Sequence, residues 1–165
     1  MDELLNSITI VCDTREQKNE HITKFFDSKK IAWTKKKLNT GDYSFFIPKN
    51  DELGIPRDLW FDKEICIERK NSLEEISSCF TESRDRLKKE FALAPSNKVM
   101  IIENASYVDM VTGNYNTRYD SKSFWASYHS FWHEFNLPII FIPDNRYTGV
   151  FIRGYFQYYL RDKLK

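Results

Sequence analysis

The chain has 165 residues and a mass of 19.8 kDa, 41% of it hydrophobic and 30% charged, with 25 Lys+Arg against 24 Asp+Glu for a net charge of +1. That length suits one domain with a core of its own, and the composition excludes a disordered chain, a collagen and a polycationic nucleic-acid coat. No apolar run reaches the ~18 residues of a spanning helix, the acidic start lacks a leader pattern, and Cys12, Cys66 and Cys79 have no CxxC spacing for zinc or a disulfide framework. The expectation is a single domain over 1–165 without membrane association. It would work in a reducing compartment, the cytoplasm of a bacterial or phage-infected cell or a nucleus, and not be secreted.

In chain order, the β-branched run at 8–12 reads as a buried strand, followed by Asp13-Thr14-Arg15-Glu16. Ile22, Phe25 and Phe26 at i, i+3, i+4 predict a helix over 19–29. The lysine-rich stretch 31–38 reads as a strand, 40–42 as a turn, and 43–47 as a strand ended by Pro48. The charged segment 49–63 reads as a loop. Residues 64–70 alternate as a strand should. Ser72 with Glu75 forms a candidate capping box, and a helix is predicted over 82–94, stopping before Pro95. The apolar run 99–102 predicts a strand covered on both faces. Residues 107–122 read as a long connection, 123–136 as a helix, 138–143 as a buried strand, and 147–164 as a terminal helix. This order predicts an α/β fold with a mixed central sheet flanked by helices: an antiparallel centre, then parallel additions through helices.

The candidate chemistry lies in Gly41-Asp42 and Glu68-Arg69-Lys70. Residues two apart in a strand share a face, so Glu68 and Lys70 project together. A hairpin between 43–47 and 64–68 brings Asp42 to the same sheet end. Carboxylate oxygens suit hard cations such as Mg²⁺. Such a cation can stabilise charge on a phosphate and activate water, with the lysine positioning that water. Two acids and a lysine also arise by chance in a chain this charged, and a surface ion pair fits the triplet alone.

The flanking residues extend the pattern. Asp13-Thr14-Arg15-Glu16 closes the first strand, Arg86-Leu87 lies in a later helix, and Val99-Met100-Ile101-Ile102-Glu103 is an apolar strand ending in an acid. With Gly41-Asp42 and Glu68-Arg69-Lys70, these ordered stretches resemble the nuclease domain of the XPF/Hef-type structure-specific DNA endonucleases. That family lies within the PD-(D/E)xK, restriction-endonuclease-like superfamily. The resemblance covers 8–103; beyond Glu103 only the order of strand and terminal helix is alike.

The resemblance implies a restriction-endonuclease-like fold and Mg²⁺- or Mn²⁺-dependent cleavage of DNA phosphodiesters, at branched, flap or junction-like DNA. It implies Asp42, Glu68 and Asp13 as metal ligands and Lys70 as the catalytic lysine. Arg69, on the opposite face by strand parity, becomes a structural or ion-pairing residue. Arg15, Glu16, Glu74 and Arg86 become supporting members. Glu74 stands where the family prefers Asp, and the charged 49–63 stretch lengthens the gap between Asp42 and Glu68. A stand-alone nuclease module is expected, with no helix-hairpin-helix or helicase domain. An inactive DNA-binding or scaffold subunit that kept the fold is the alternative; the intact Asp42, Glu68 and Lys70 set argues against it.

Lys35 and Lys37, with Arg153 and Arg161, are the expected phosphate contacts. His129 and His133 lack a third ligand and read as surface or structural residues. Aromatics crowd the C-terminal third: Phe151, Tyr155, Phe156, Tyr158 and Tyr159 cover much of the last helix. That excess predicts a homodimer through 147–160.

Overall fold

The computed structural model describes all 165 residues. The elements are α1 (Asp2–Asn6), β1 (Thr9–Cys12), α2 (Glu20–Ser28), β2 (Trp33–Lys35), β3 (Tyr43–Ile47), β4 (Leu59–Trp60), β5 (Ile65–Lys70), α3 (Leu73–Thr81), α4 (Arg84–Leu93), β6 (Asn97–Glu103), α5 (Tyr107–Thr112), α6 (Ser121–Phe135), β7 (Ile139–Ile142) and α7 (Thr148–Lys163). The seven strands form one mixed sheet in the order β2-β1-β3-β5-β6-β7, with β4 paired to β3. Strand β3 runs antiparallel to β1, β4 and β5, while the β1–β2, β5–β6 and β6–β7 pairs are parallel. The expected α/β architecture is therefore present. No helix is long and apolar enough to cross a membrane.

Strand parity divides the core in two. Ile10, Cys12, Tyr43, Phe45, Ile65, Ile67, Val99 and Ile101 turn to one side and pack with Ile22 and Phe26 of α2 and Ile152, Phe156 and Leu160 of α7. Met100, Ile102 and Ile139 turn to the other, against α3, α4 and α6 through Ile76, Phe80, Leu87, Phe124 and Phe131. No residue of β1, β2 or β3 belongs to this second core. The apolar core on the α3/α4/α6 side of the sheet is therefore built on β6 and β7 and does not extend over β1–β3.

Four boundaries differ from expectation. The 31–38 strand shrinks to Trp33–Lys35, an edge strand with one neighbour. The 49–63 loop contributes the two residues of β4, which pair with Phe46 and Ile47. The 107–122 connection begins with α5, whose Ser106–Asp109 capping box closes both ways. The N-terminal residues form the short α1. Ser72 caps α3 by accepting from the Glu75 amide, whereas the Glu75 carboxylate accepts from Asn71 N. Cys12 and Cys66 are buried thiols pushed up to about 12 by burial, which suits small core residues rather than nucleophiles.

The aromatic excess of the C-terminal helix has an internal destination. Phe156 and Leu160 lie in the core, and Phe151, Tyr155 and Tyr159 pack against it. Phe151 and Tyr155 stack at 5.9 Å and Phe156 meets Phe45 at 5.2 Å. Gly149 of the same helix sits where an added Cβ would lie 2.4 Å from the Phe25 ring, so α7 is seated tightly on α2. Four of the five rings that suggested a partner surface lie in or against the domain's own core, which leaves less apolar surface for a homodimer through 147–160. Tyr147, Val150 and Tyr158 are the exposed remainder.

Candidate active site

The pocket is built where β1 ends, β3 begins and β5 ends. Gly41 has φ +74°, and a Cβ there would lie 2.8 Å from the Cys66 Cβ, so the chain enters β3 by a turn that excludes any side chain. The next residue is pinned on both sides: the Asp42 amide donates to Ile67 O at 2.8 Å, and the Asp42 carbonyl accepts from the Asp13 amide at 2.8 Å. The Tyr43–Ile67 register then puts Asp42 and Glu68 on one side of the sheet. Lys70 follows on the same side, over α3 and α4.

Asp42 accepts from the Arg69 amide through Oδ2 at 2.8 Å. Glu68 accepts from Lys70 Nζ through Oε1 at 3.0 Å. The second oxygen of each carboxylate makes no protein hydrogen bond and is not sealed from solvent. These groups open into a cleft of about 280 Å³, together with Arg15, Arg86, Glu90, Cys79 and Ser83. Burial, then the Glu68 charge, then Glu16, push the Asp42 carboxyl well above the usual carboxylate range. Burial also raises Glu68, against the pull of Lys70. Burial works against the Lys70 charge, but Glu68 outweighs it and holds the ammonium protonated. The residues thus form two reluctant carboxylates and one firm cation in a shared cleft.

Arg69 faces the other way. Its guanidinium is 4% exposed and grips Glu16 through Nε and Nη2, both at 2.9 Å. It also donates to Glu103 at 2.5 Å and to the Gln17 carbonyl at 2.6 Å. Glu103, wholly buried, accepts in addition from Thr148 of α7 and pairs with His21 of α2. One residue therefore orients Asp42 with its amide and ties β5 to the α2/α7 layer with its side chain.

Three expected site residues are engaged by other groups, Asp13 at the lining of the cleft and Glu74 and Glu16 outside it. Asp13 spends both oxygens on the backbone turn: Oδ1 accepts from Leu38 N at 2.7 Å, and Oδ2 accepts from Arg15 Nε at 2.8 Å and Arg15 N at 3.2 Å. Burial works to raise its pKa, but the Arg15 side chain and the two amides outweigh it and hold it low. No three His, Cys, Asp or Glu side chains are disposed to hold a metal ion; of the three expected ligands, Asp42 and Glu68 are the two with an oxygen free of protein hydrogen bonds. Glu74 accepts from the Asn116 amide at 2.9 Å and ties α3 to the following connection, outside the cleft. Glu16 serves Arg69 rather than the cleft.

Arg15 and Arg86 do reach the cleft, with side chains 63% and 78% exposed. Glu90, which pairs with Arg86 at 3.3 Å and raises Glu68, was missed by sequence reasoning. Its signal was available, since it lies four residues from Arg86 on a predicted helix. Lys35 is paired with Cys12 and so turns to the α2 side, away from the pocket; Lys36 turns toward it. Arg153 and Arg161 lie on α7, behind the sheet, where Arg153 reaches Asn6 and Arg161 lies over Tyr158. Neither adjoins the cleft.

The fold and motifs have known counterparts. XPF from Aeropyrum pernix matches with a TM-score of 0.67 and 19% identity, over 95% of this chain and 64% of that one. XPF from Aeropyrum pernix in complex with DNA matches with a TM-score of 0.67 and 18% identity, over 93% of this chain and 66% of that one. The chain thus spans just under two thirds of each of those chains, and the likeness is one of fold. No curated protein matches the sequence. A family model described as the ERCC4 domain matches residues 12–154, most of the chain and all of the cleft. The chain belongs to the ERCC4 domain family.

Proposed function

We propose that the chain is a divalent-metal-dependent DNA endonuclease that hydrolyses phosphodiester bonds. The observation that carries the reading is the convergence of Asp42, Glu68 and Lys70 in one cleft, with a free oxygen on each carboxylate. Family membership and the fold shared with an XPF bound to DNA support DNA as the substrate. The preference for branched or flapped DNA follows from the family resemblance.

The donor set fits a hard cation. Mg²⁺ keeps several waters and takes one or two carboxylates plus substrate oxygens, and Asp42 and Glu68 supply that number. Their mutual repulsion and burial leave a deficit of positive charge that Lys70 only partly fills. Asp42 and Glu68 would hold the Mg²⁺ or Mn²⁺ ion. When bound, the ion supplies charge stabilisation to the phosphate and lowers the pKa of a water. Lys70 acts as a protonated donor that can hold a water or a phosphate oxygen beside Glu68. The Arg69 amide fixes the Asp42 rotamer. Arg15 and Arg86, at the mouth, offer exposed guanidinium groups to neighbouring phosphates.

An inactive scaffold subunit is disfavoured by the same electrostatics. Two buried carboxylates that share one ammonium cost the fold stability. The test is cleavage of end-labelled flap, fork and duplex DNA with Mg²⁺, Mn²⁺ or EDTA. Cleavage should need the metal and fall at least ~10²-fold, about 2.7 kcal/mol of barrier, in Asp42→Asn and Glu68→Gln. Lys70→Ala should lose cleavage while keeping metal binding. Metal-independent cleavage, or near-normal rates in both carboxylate variants, would remove the assignment.

A further inference from the structure

We propose that Trp60 is a stacking platform for an unpaired base of a single-stranded DNA segment beside the cleavage cleft, with Lys36 as its displaceable cover. The proposal rests on the nuclease reading above and names a part of the substrate.

Trp60 lies in β4 and pairs with Phe46 of β3. The two rings stack at 4.2 Å and 17°. On the ring's other side the Lys36 ammonium lies 3.4 Å from the centroid. Trp60 remains 36% exposed and its neighbour Leu59 37%. The registers fix the face: Phe46 pairs with Thr9 and Trp60, Ser44 with Val11, and Tyr43 with Ile67. By alternation Trp60, Phe46, Asp42, Glu68 and Lys70 share one side of the sheet. Over β1–β3 that side contributes nothing to the apolar core under α3, α4 and α6. Phe46 is four residues along β3 from Asp42, roughly 13 Å at ~3.3 Å per residue.

The occupant follows from chemistry. Lys36 rests on a ring rather than on a carboxylate, so its ammonium has no ion-pair partner. A nucleic-acid strand brings a phosphate to that unpaired ammonium and a base to the ring beneath it. An exposed cation–π contact is weaker than base–aromatic stacking. A base can therefore take the ring while the released ammonium moves to the adjoining phosphate. The platform is read by any base, because every base has a π-face. Phe46, seated against the sheet, keeps the indole flat and ready.

The experiment compares binding of the full chain, in EDTA, to a flap DNA with a single-stranded arm and to a matched duplex. A 2-aminopurine in the arm reports stacking directly. Trp60→Leu should weaken binding to the arm-bearing DNA by about 5–100-fold and leave the duplex within about two-fold. The 2-aminopurine quench seen with the wild type should disappear, and Trp60→Phe should restore most of the affinity. Equal binding by Trp60→Leu, or no quench with the wild type, overturns the platform and leaves the nuclease reading standing. The wild-type quench decides even where Trp60→Leu melts early. A wild-type dimer that Trp60→Leu converts to monomer overturns it in favour of a second copy on this face. Failure of the wild type to bind either DNA overturns both readings.

Discussion

Neutralising Asp42 should kill the enzyme and strengthen the fold. In Asp42→Asn the side-chain oxygen still accepts from the Arg69 amide, so the only native contact of the group survives. What is lost is a charge that burial and the neighbouring Glu68 both disfavour. The folded pKa lies above the unfolded one, so between them the native state binds more protons than the unfolded state. Stability then falls as pH rises through that window and stays reduced above it. The asparagine variant has no such loss. Its advantage should be least in the ordinary carboxylate range and below, grow with pH, and level off above the raised pKa. Single stabilising changes of this kind bring about 0.5–2 kcal/mol, and for ~165 residues each kcal/mol moves Tm by about 2–4 °C. Thermal melts at half-unit steps from pH 4 to 9, beside cleavage assays, measure both effects. A variant that melts at or below the wild type at pH 8, or a gap that does not widen with pH, would refute the account of a strained carboxylate pair.

Arg69→Met should be far more damaging to the fold than any change at the three cleft residues. It strips Glu16 of its ion pair and leaves buried Glu103 with only His21 and Thr148, at a cost of about 3–5 kcal/mol, which calorimetry would read as a Tm drop of about 6–20 °C. Phe151→Asp should lower thermal stability by about 1–3 kcal/mol while light scattering shows no change of mass, because the ring packs on the monomer's own core. Lys35→Gln should leave the salt dependence of DNA binding intact, whereas Lys36→Gln should reduce its slope by up to ~0.9 through loss of one phosphate contact.

The sheet was largely legible in the sequence because its strands are dense in β-branched and aromatic residues and bounded by turns. Runs such as 43–47 and 99–102 leave little choice of conformation. Short elements were not: β4 has two residues and exists because Phe46 and Ile47 offer a free edge, and α5 is held by its cap rather than by periodicity. Asp42, Glu68 and Lys70 could be placed together from parity and one hairpin. Asp13 could not be assigned that way. Its fate depends on Leu38 and Arg15 amides brought round by the loop, and a carboxylate's identity does not reveal which donors reach it. The aromatic helix misled for a related reason. A helix packed against both α2 and the sheet needs apolar cover over more than one stripe.

The two-sided use of Arg69 bears on how this sequence can change over time. A lineage released from selection for cleavage is free to alter positions 42, 68 and 70, and gains stability by shedding the buried acids. Position 69 carries no such freedom, since the same folding requirement persists without the chemistry. Retired relatives of this domain should therefore keep an isolated arginine at the end of the fifth strand, flanked by residues that no longer match, with the glutamates at positions 16 and 103 preserved alongside it. Such a remnant would outlast the acids of the proposed catalytic cleft.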